Sequence, residues 1–192
     1  MTDLSVMAGR IAGVLALLAF IPYIAAILRR KARPNRATWW IWSVMGFLLG
    51  ASYLAAGADR TIWVAVGYAV GPLVTAALSV KYGEGGWSRF DRGCVVGAAA
   101  GVAAWSLTGS PLAALVIFLF IDLMGALPTV RKCWRDSASE DRLTWALFLA
   151  GNTLNLFAVE RWTFAIAAYP LYMFLGSGVI VALLFCRRAA PA

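Results

Sequence analysis

The sequence predicts an all-α integral membrane protein with seven transmembrane helices, and three observations support this fold class. The chain is 62% hydrophobic and only 14% charged, whereas soluble domains carry about 25% charged residues. Its apolar residues fall in blocks of roughly 18 residues or more, the length that a bilayer core of about 30 Å requires. One pattern of proline, arginine and tryptophan also occurs twice. The blocks lie at about 9–28, 37–56, 61–80, 91–107, 111–130, 142–158 and 162–185.

The repeated pattern indicates an internal duplication, because its members recur at a single offset of 106 residues without a gap. Three helices, a linker helix and three more helices place the two halves in parallel orientation. We therefore expect two parallel three-helix bundles, at 1–80 and 109–192, joined by a cytoplasmic loop and linker helix at 81–108. The matched pairs are Pro22 with Pro128, Arg29 with Arg135, Arg36 with Arg142, and Thr38-Trp39 with Thr144-Trp145.

The net charge of +8 is distributed unevenly across the predicted topology. Fourteen basic residues fall on one side of the seven helices and only Arg10, Arg60 and Arg161 on the other. Basic residues concentrate in cytoplasmic loops, so we expect a multi-pass protein of the plasma (inner) membrane with its N-terminus outside and its C-terminus in the cytoplasm. The loop Arg29–Arg36 is expected to lie against anionic lipid, and nucleic acid is not an expected partner.

Conventional metal and cofactor sites are not expected. The chain has no histidine, and its three cysteines show no Cys-x-x-Cys spacing, so zinc and haem sites lack their usual ligands. The cysteines are expected at cytoplasmic helix ends, where thiols stay reduced. The first apolar block lacks a small-residue cleavage site, which favours a permanent helix over a signal peptide.

The linker helix carries three glycines, Gly93, Gly97 and Gly101, at intervals of four residues. Such a face lets two helix backbones approach closely. It predicts either a homo-oligomer through these glycines or packing inside the chain's own bundle.

Three helix starts carry capping signals. Asp59 is expected to cap the third helix. Ser110 and Pro111 are expected to be the N-cap and first residue of the fifth helix. Ser137 and Glu140 fit a capping box for the sixth helix.

A polar group inside the membrane is the candidate site. Asp122 is the only ionisable residue expected deep in the bilayer, where a carboxylate costs about 2.5–3.5 kcal/mol and normally faces a cavity or partner. Asn152 and Asn155 share a helix face at nearly the same depth. These residues predict a substrate or proton site, or alternatively a structural hydrogen bond between helices. Three aromatic side chains are expected either to line the same cavity or to pack in the core, namely Trp42, Tyr68 and Tyr169.

Prolines inside four helices are candidate conformational hinges. Proline removes a backbone donor and kinks a helix, which membrane helices tolerate when neighbours satisfy the freed carbonyl. These residues are Pro22 and Pro128 in the first and fifth helices, and Pro72 and Pro170 in the third and seventh.

With these features the chain resembles the SWEET and PQ-loop superfamily. The resemblance rests on the three-one-three helix scheme, the N-terminus outside, and Pro22-Tyr23 and Pro128-Thr129, which stand where that superfamily often has Pro-Gln. The chain also looks like a group of bacterial membrane proteins with similar Trp-Trp-x-Trp and Tyr-Gly-x-Gly-Gly segments. SWEETs line their sugar pocket with asparagines on the third and seventh helices, whereas this chain has its membrane asparagines on the sixth. The resemblance therefore implies the architecture and not sugar specificity.

The leading functional expectation is a transporter that moves a small polar solute, sugar-like or vitamin-like, by alternating access through a midplane cavity between the repeats. The alternative is a non-transporting receptor or binding protein that uses the same cavity. An enzyme is not expected, because one deep carboxylate without histidine forms no credible acid–base or nucleophilic set. All three lysines, Lys31, Lys81 and Lys132, are expected in cytoplasmic loops, which argues against a retinal Schiff base.

Overall fold

The computed structural model describes residues 3–55, 62–85, 88–159 and 161–186, and these ranges are almost entirely helical. They contain no β-strand, only an isolated bridge between Asn35 and Glu84. The all-α fold class is therefore confirmed for this part of the chain. The helices are α1 Asp3–Leu18, α2 Phe20–Leu28, α3 Arg36–Ala55, α4 Ile62–Tyr82, α5 Arg89–Ser106, α6 Pro111–Arg135, α7 Arg142–Phe157 and α8 Phe164–Cys186, with a 3-10 helix at Ser137–Ser139.

Each predicted apolar block corresponds to a helix, with α1 and α2 together forming the first. The interruption at Ala19 follows from Pro22, because proline has no N–H to donate to the carbonyl of Leu18 four residues earlier. Helical bonding resumes at once, with the amide of Tyr23 donating to Ala19 at 3.4 Å. The three other candidate hinge prolines, Pro72, Pro128 and Pro170, lie inside α4, α6 and α8, and these helices continue through them. Their role as hinges stays a prediction.

Three stretches are long and apolar enough to cross a membrane by length and composition, namely Leu4–Leu28, Leu112–Arg135 and Phe164–Cys186. A shorter apolar helical stretch covers Ala69–Tyr82. Large apolar side chains remain exposed along the three long stretches, as Ile21, Val116 and Leu175 illustrate.

The chain divides into two compact units. Unit 1 comprises Met1–Ala32 and Lys132–Ala192, and unit 2 comprises Arg33–Arg131. Unit 1 thus contains α1, α2, α7 and α8, while unit 2 contains α3, α4, α5 and α6 as far as Arg131. Each unit combines the first helix of one predicted repeat with the second and third helices of the other. The division at 1–80, 81–108 and 109–192 follows the sequence repeat and stays a prediction, as does the arrangement in two parallel bundles.

In unit 1, α1 packs closely along α7 at two glycines. A Cβ atom on Gly9 would lie 3.4 Å from the Cβ of Ala158, and one on Gly151 would lie 3.3 Å from the carbonyl oxygen of Ala12. Next to this contact, the rings of Phe20 and Phe148 meet edge to face with centroids 5.4 Å apart. Small residues on both helices therefore set the close approach, and an aromatic pair fills the space at the start of α2.

The start of α7 corrects one sequence prediction, since the capping box of Ser137 and Glu140 is wrong. Asp141 is the N-cap, and its Oδ1 accepts from the amide of Thr144 at 2.8 Å and from its hydroxyl at 2.7 Å. Ser137 begins the 3-10 helix, whose own N-cap is Asp136. Asp141 directly precedes the first helical residue, so its short side chain reaches the third amide of the helix, as N-caps do.

The other two capping predictions have different outcomes. The start of α6 is confirmed, because α6 begins at Pro111 and the hydroxyl of Ser110 accepts from the amide of Ala113 at 3.4 Å. Asp59, the expected cap of the third helix, lies outside the described residues.

In unit 2, α5 packs against α6 through two of the three spaced glycines. A Cβ on Gly101 would lie only 2.5 Å from Cγ1 of Ile121, and one on Gly97 would lie 3.1 Å from Sδ of Met124. A Cβ on Gly93 would meet nothing within 4 Å. Gly97 and Gly101 thus serve packing inside the chain, the second of the two alternatives that the sequence left open. A homo-oligomer involving these glycines stays untested.

Candidate functional site

An aromatic pair recurs at repeat-equivalent positions in the two units. In unit 2, Trp39 and Trp42 meet edge to face, with centroids 5.2 Å apart and planes at 90°. In unit 1, Trp145 and Phe148 meet with centroids 5.6 Å apart and planes at 64°. The four residues match at the offset of 106, so the duplication seen in the sequence corresponds to a duplicated local packing.

Arg36, in the first turn of α3, closes the C-terminal end of α4. Its Nε donates to the carbonyl of Ser79 at 3.0 Å and one Nη to that of Gly85 at 2.8 Å, while the other Nη donates to Val80 and Gly83 at 3.3 Å each. The last carbonyls of a helix lack intrahelical donors. A guanidinium has several donors in a fixed fork and can satisfy more than one of them.

The glycines after α4 make this closure possible. A Cβ on Gly83 would lie 2.3 Å from the carbonyl oxygen of Ser79 and 2.6 Å from that of Pro34, so no larger residue fits there. Gly85 has a φ of +85°, in the region that favours glycine. In its described residues, the Tyr-Gly-x-Gly-Gly segment therefore forms the turn whose carbonyls accept hydrogen bonds from Arg36.

Arg142 takes the equivalent place in unit 1. Its guanidinium lies over the ring of Phe185 near the end of α8, with 5.4 Å from Cζ to the ring centroid. Arg142 matches Arg36 and Phe185 matches Ser79 at the same offset of 106. In both units an arginine that begins one helix therefore contacts the C-terminal end of the next, by hydrogen bonds in unit 2 and by a cation–π contact in unit 1.

Asp122 and Trp42, two of the predicted site residues, are brought together in unit 2. The indole Nε1 of Trp42 donates to the backbone carbonyl of Asp122 at 3.3 Å. The approach depends on Gly125, where a Cβ would lie 2.7 Å from the indole nitrogen. The side chain of Asp122 is half-buried in the middle of α6.

Asn152 is engaged with α8 in unit 1. Its Nδ2 donates to the carbonyl of Met173 at 3.2 Å and to the hydroxyl of Ser177 at 3.1 Å. Ser177 is buried, and its own hydroxyl donates to Met173 at 2.7 Å. The Asn152 amide therefore makes the interhelical hydrogen bond that the sequence left open as the structural alternative.

The remaining predicted aromatic and amide residues lie on three helices. Asn155 and Tyr169 are half-buried on α7 and α8 in unit 1. The side chain of Tyr68 lies outside the described residues. Asp122 and Trp42 thus form one group in unit 2, and Asn152 with Ser177 forms another in unit 1.

A charged cluster that sequence reasoning missed lies inside unit 1. The ammonium of Lys132 contacts Oε1 of Glu140, and their side chains are only 4% and 0% exposed. The hydroxyl of Tyr23 donates to the same oxygen at 3.0 Å, and Nε1 of Trp145 donates to Oε2 at 3.1 Å. The expectation that Lys132 lies in a loop is wrong, because α6 continues to Arg135 and its last turn places this lysine in the interior.

No local sequence signal could have found this cluster, because Tyr23 and Glu140 are 117 residues apart. The repeat relates these positions to others in the chain but does not conserve their residue types. Tyr23 matches Thr129, whose hydroxyl has a different kind of partner and donates to that of Thr38 in unit 2 at 2.9 Å. Both threonines are fully buried.

Within the part of the chain that the structure describes, no group of three or more His, Cys, Asp or Glu residues is placed to hold a metal ion. Comparisons with protein-family models, with curated proteins and with solved structures find no match to this chain.

Proposed function

We propose that this chain is a multi-pass membrane transporter that moves a small polar solute, sugar-like or vitamin-like, by alternating access. The observation that carries the proposal is the duplication, because repeat-equivalent contacts recur in two separate compact units. Internal repeats in parallel orientation occur in transporter folds, in which they exchange between conformations that open to either side of the membrane. A binding protein with a single stable conformation needs no such duplication.

Membrane insertion is part of the proposal and has its own support. Three helical stretches have the length and apolar composition of a span. Their exposed side chains include large aliphatic residues such as Ile21 and Leu175, which a lipid environment would cover. The basic residues favour an orientation with the N-terminus outside and the C-terminus in the cytoplasm.

Asp122 is the residue we propose to contact the solute or a coupling proton. A carboxyl group in the middle of an apolar helix is costly unless it serves a partner, and such residues mark substrate and proton pathways. The Asn152 amide, which donates to α8, is the second candidate. A carboxylate accepts hydrogen bonds from hydroxyl and amine groups, which agrees with a polar solute.

Solute counterflow in liposomes that contain the purified full-length chain tests the proposal. A thermal-shift screen over sugars, vitamins and nucleosides first finds a solute, because a ligand that binds only the folded state raises the apparent stability. We expect this solute to exchange across the membrane through the protein. Binding without counterflow would instead favour a receptor.

Asp122→Asn then tests the site, with Asp136→Asn, at the half-buried N-cap of the 3-10 helix, as the matched control. If Asp122 couples protons, the variant keeps counterflow and loses accumulation driven by a pH gradient. If Asp122 contacts the solute, both activities fall together. If Asp122→Asn behaves like the control in binding and in both transport modes, the site assignment is wrong.

A further inference from the structure

We propose that Lys132, Glu140 and Tyr23 form a lock within unit 1, which holds α2 against the connection between α6 and α7. Opening of α2 away from this connection then requires the hydrogen bond from Tyr23 to Glu140 to break, while Lys132 holds the carboxylate that accepts this bond. The lock is a conformational device of the fold, and it does not depend on which solute, if any, the chain moves.

The lock joins segments that are distant in sequence. Glu140 lies between the 3-10 helix and α7, and it receives hydrogen bonds from α2, α6 and α7. Tyr23 is 0% exposed, like the Glu140 side chain. The hydrogen bond from Tyr23 to Glu140 thus ties α2 directly to this connection.

A buried ion pair is well suited to a reversible tie. Its attraction is strong only while the surroundings exclude water, because the effective dielectric constant sets the Coulomb energy. Both charges also lose hydration on burial, so such a pair gives little net stability compared with apolar side chains of similar size. Entry of water would weaken the attraction and hydrate both charges. The ion pair is therefore stable while the surrounding residues exclude water, and it separates easily once water enters.

The ion pair has no charged counterpart at the positions that the repeat matches to it. The positions that match Lys132, Glu140 and Tyr23 are Ala26, Pro34 and Thr129. Thr129 donates instead to the hydroxyl of Thr38 at 2.9 Å, and Thr38 matches Thr144 rather than Glu140. The charged pair is therefore particular to the junction in unit 1.

The native cysteines provide reporters of opening. Cys133 follows Lys132 in α6 and is 0% exposed, and Cys94 is buried in unit 2. Cys186 is exposed at the end of α8. None of these three cysteines forms a disulfide. A buried thiol reacts with a maleimide only when its surroundings open, so the labelling rate at each cysteine reports the opening of its own region.

The test compares maleimide labelling of the full-length chain in detergent micelles, with each cysteine quantified by mass spectrometry. The principal variant is the double replacement Lys132→Met with Glu140→Leu, which removes both charges and retains apolar bulk. We expect labelling of Cys133 to rise by about tenfold or more, while the labelling of Cys94 stays near that of the unmodified chain. The thermal midpoint should fall, because the Tyr23 hydroxyl and the Trp145 indole lose their acceptor. Tyr23→Phe removes one donor and should give a smaller rise.

The matched control is Arg33→Met with Glu84→Leu, which removes an ion pair of 3.2 Å in unit 2 whose side chains are 48% and 29% exposed. This control should leave Cys133 unchanged. An unchanged Cys133 rate in the folded double variant of Lys132 and Glu140 would overturn the lock. A parallel rise at Cys94 would also overturn it, since that result means general loosening. If the double variant does not fold, Tyr23→Phe decides, and an unchanged Cys133 rate in that variant refutes the proposal.

Discussion

Replacement of Arg36 by alanine measures how much one guanidinium contributes to the end of α4. Two of its hydrogen bonds are short, to Ser79 at 3.0 Å and to Gly85 at 2.8 Å, and two are long at 3.3 Å. Hydrogen bonds from charged groups contribute about 1.5–3 kcal/mol each. If only the short pair is counted, at the lower end because the site is half-buried, the expected loss in free energy of unfolding is about 3 kcal/mol.

Arg142→Ala is the matched control, because the two arginines are equivalent in the repeat and differ in their contacts. Arg142 makes a cation–π contact with Phe185 at 5.4 Å, and contacts of this kind contribute about 0.5–1 kcal/mol at exposed sites. Arg36→Lys should lie close to the alanine variant, since an ammonium keeps the charge but loses the planar fork.

Equilibrium unfolding in mixed detergent micelles, followed by tryptophan fluorescence, gives the three free energies. The expected order of destabilisation is Arg36→Ala, then Arg36→Lys, then Arg142→Ala. Equal losses for Arg36→Ala and Arg142→Ala would refute the reasoning, because the carbonyl contacts would then contribute no more than one ring contact.

Three further predictions concern packing, capping and orientation. Gly101→Ala should destabilise the chain by about 1–3 kcal/mol, because its Cβ would crowd Ile121. Gly93→Ala places its Cβ in open space and should be neutral or stabilise the chain by up to about 1 kcal/mol. Thermal unfolding of the two variants measures the difference. Asp141→Ala should cost about 1 kcal/mol and Asp141→Asn much less, because asparagine also caps helices, and a full loss in the asparagine variant would contradict the N-cap. On intact cells, a membrane-impermeant maleimide should label the exposed Cys186 only after permeabilisation, and rapid labelling from outside would reverse the proposed orientation.

The helices were predictable because their signals are local. Blocks of apolar residues indicated all seven helical stretches, and the start of α6 was located to the residue by Ser110 and Pro111, which act within one turn. The ends were less accurate where charged residues continue a helix. The predicted block ended at 130, whereas α6 continues to Arg135, since Lys132 finds a buried carboxylate and needs no solvent.

The contacts between distant segments were not predictable from the sequence. Ser137 and Glu140 have the spacing of a capping box, but Glu140 instead accepts hydrogen bonds from Lys132 and from Tyr23, 117 residues earlier. The candidate site was predicted in part. Trp42 does meet Asp122, but through a backbone carbonyl that no residue type specifies.

The composition of the two units has a consequence for the order in which the chain folds. Unit 2 is one uninterrupted segment, Arg33–Arg131, so it can complete its packing as soon as that segment has left the ribosome. Unit 1 cannot, because α1 and α2 pack against α7, and closing so long a loop carries an entropic cost that local contacts avoid. During synthesis α1 must remain in place without its partner while four later helices are made. Although α1 is made before the helices of unit 2, it is therefore packed after them, and a chain that stops before α7 leaves α1 without its partner helix.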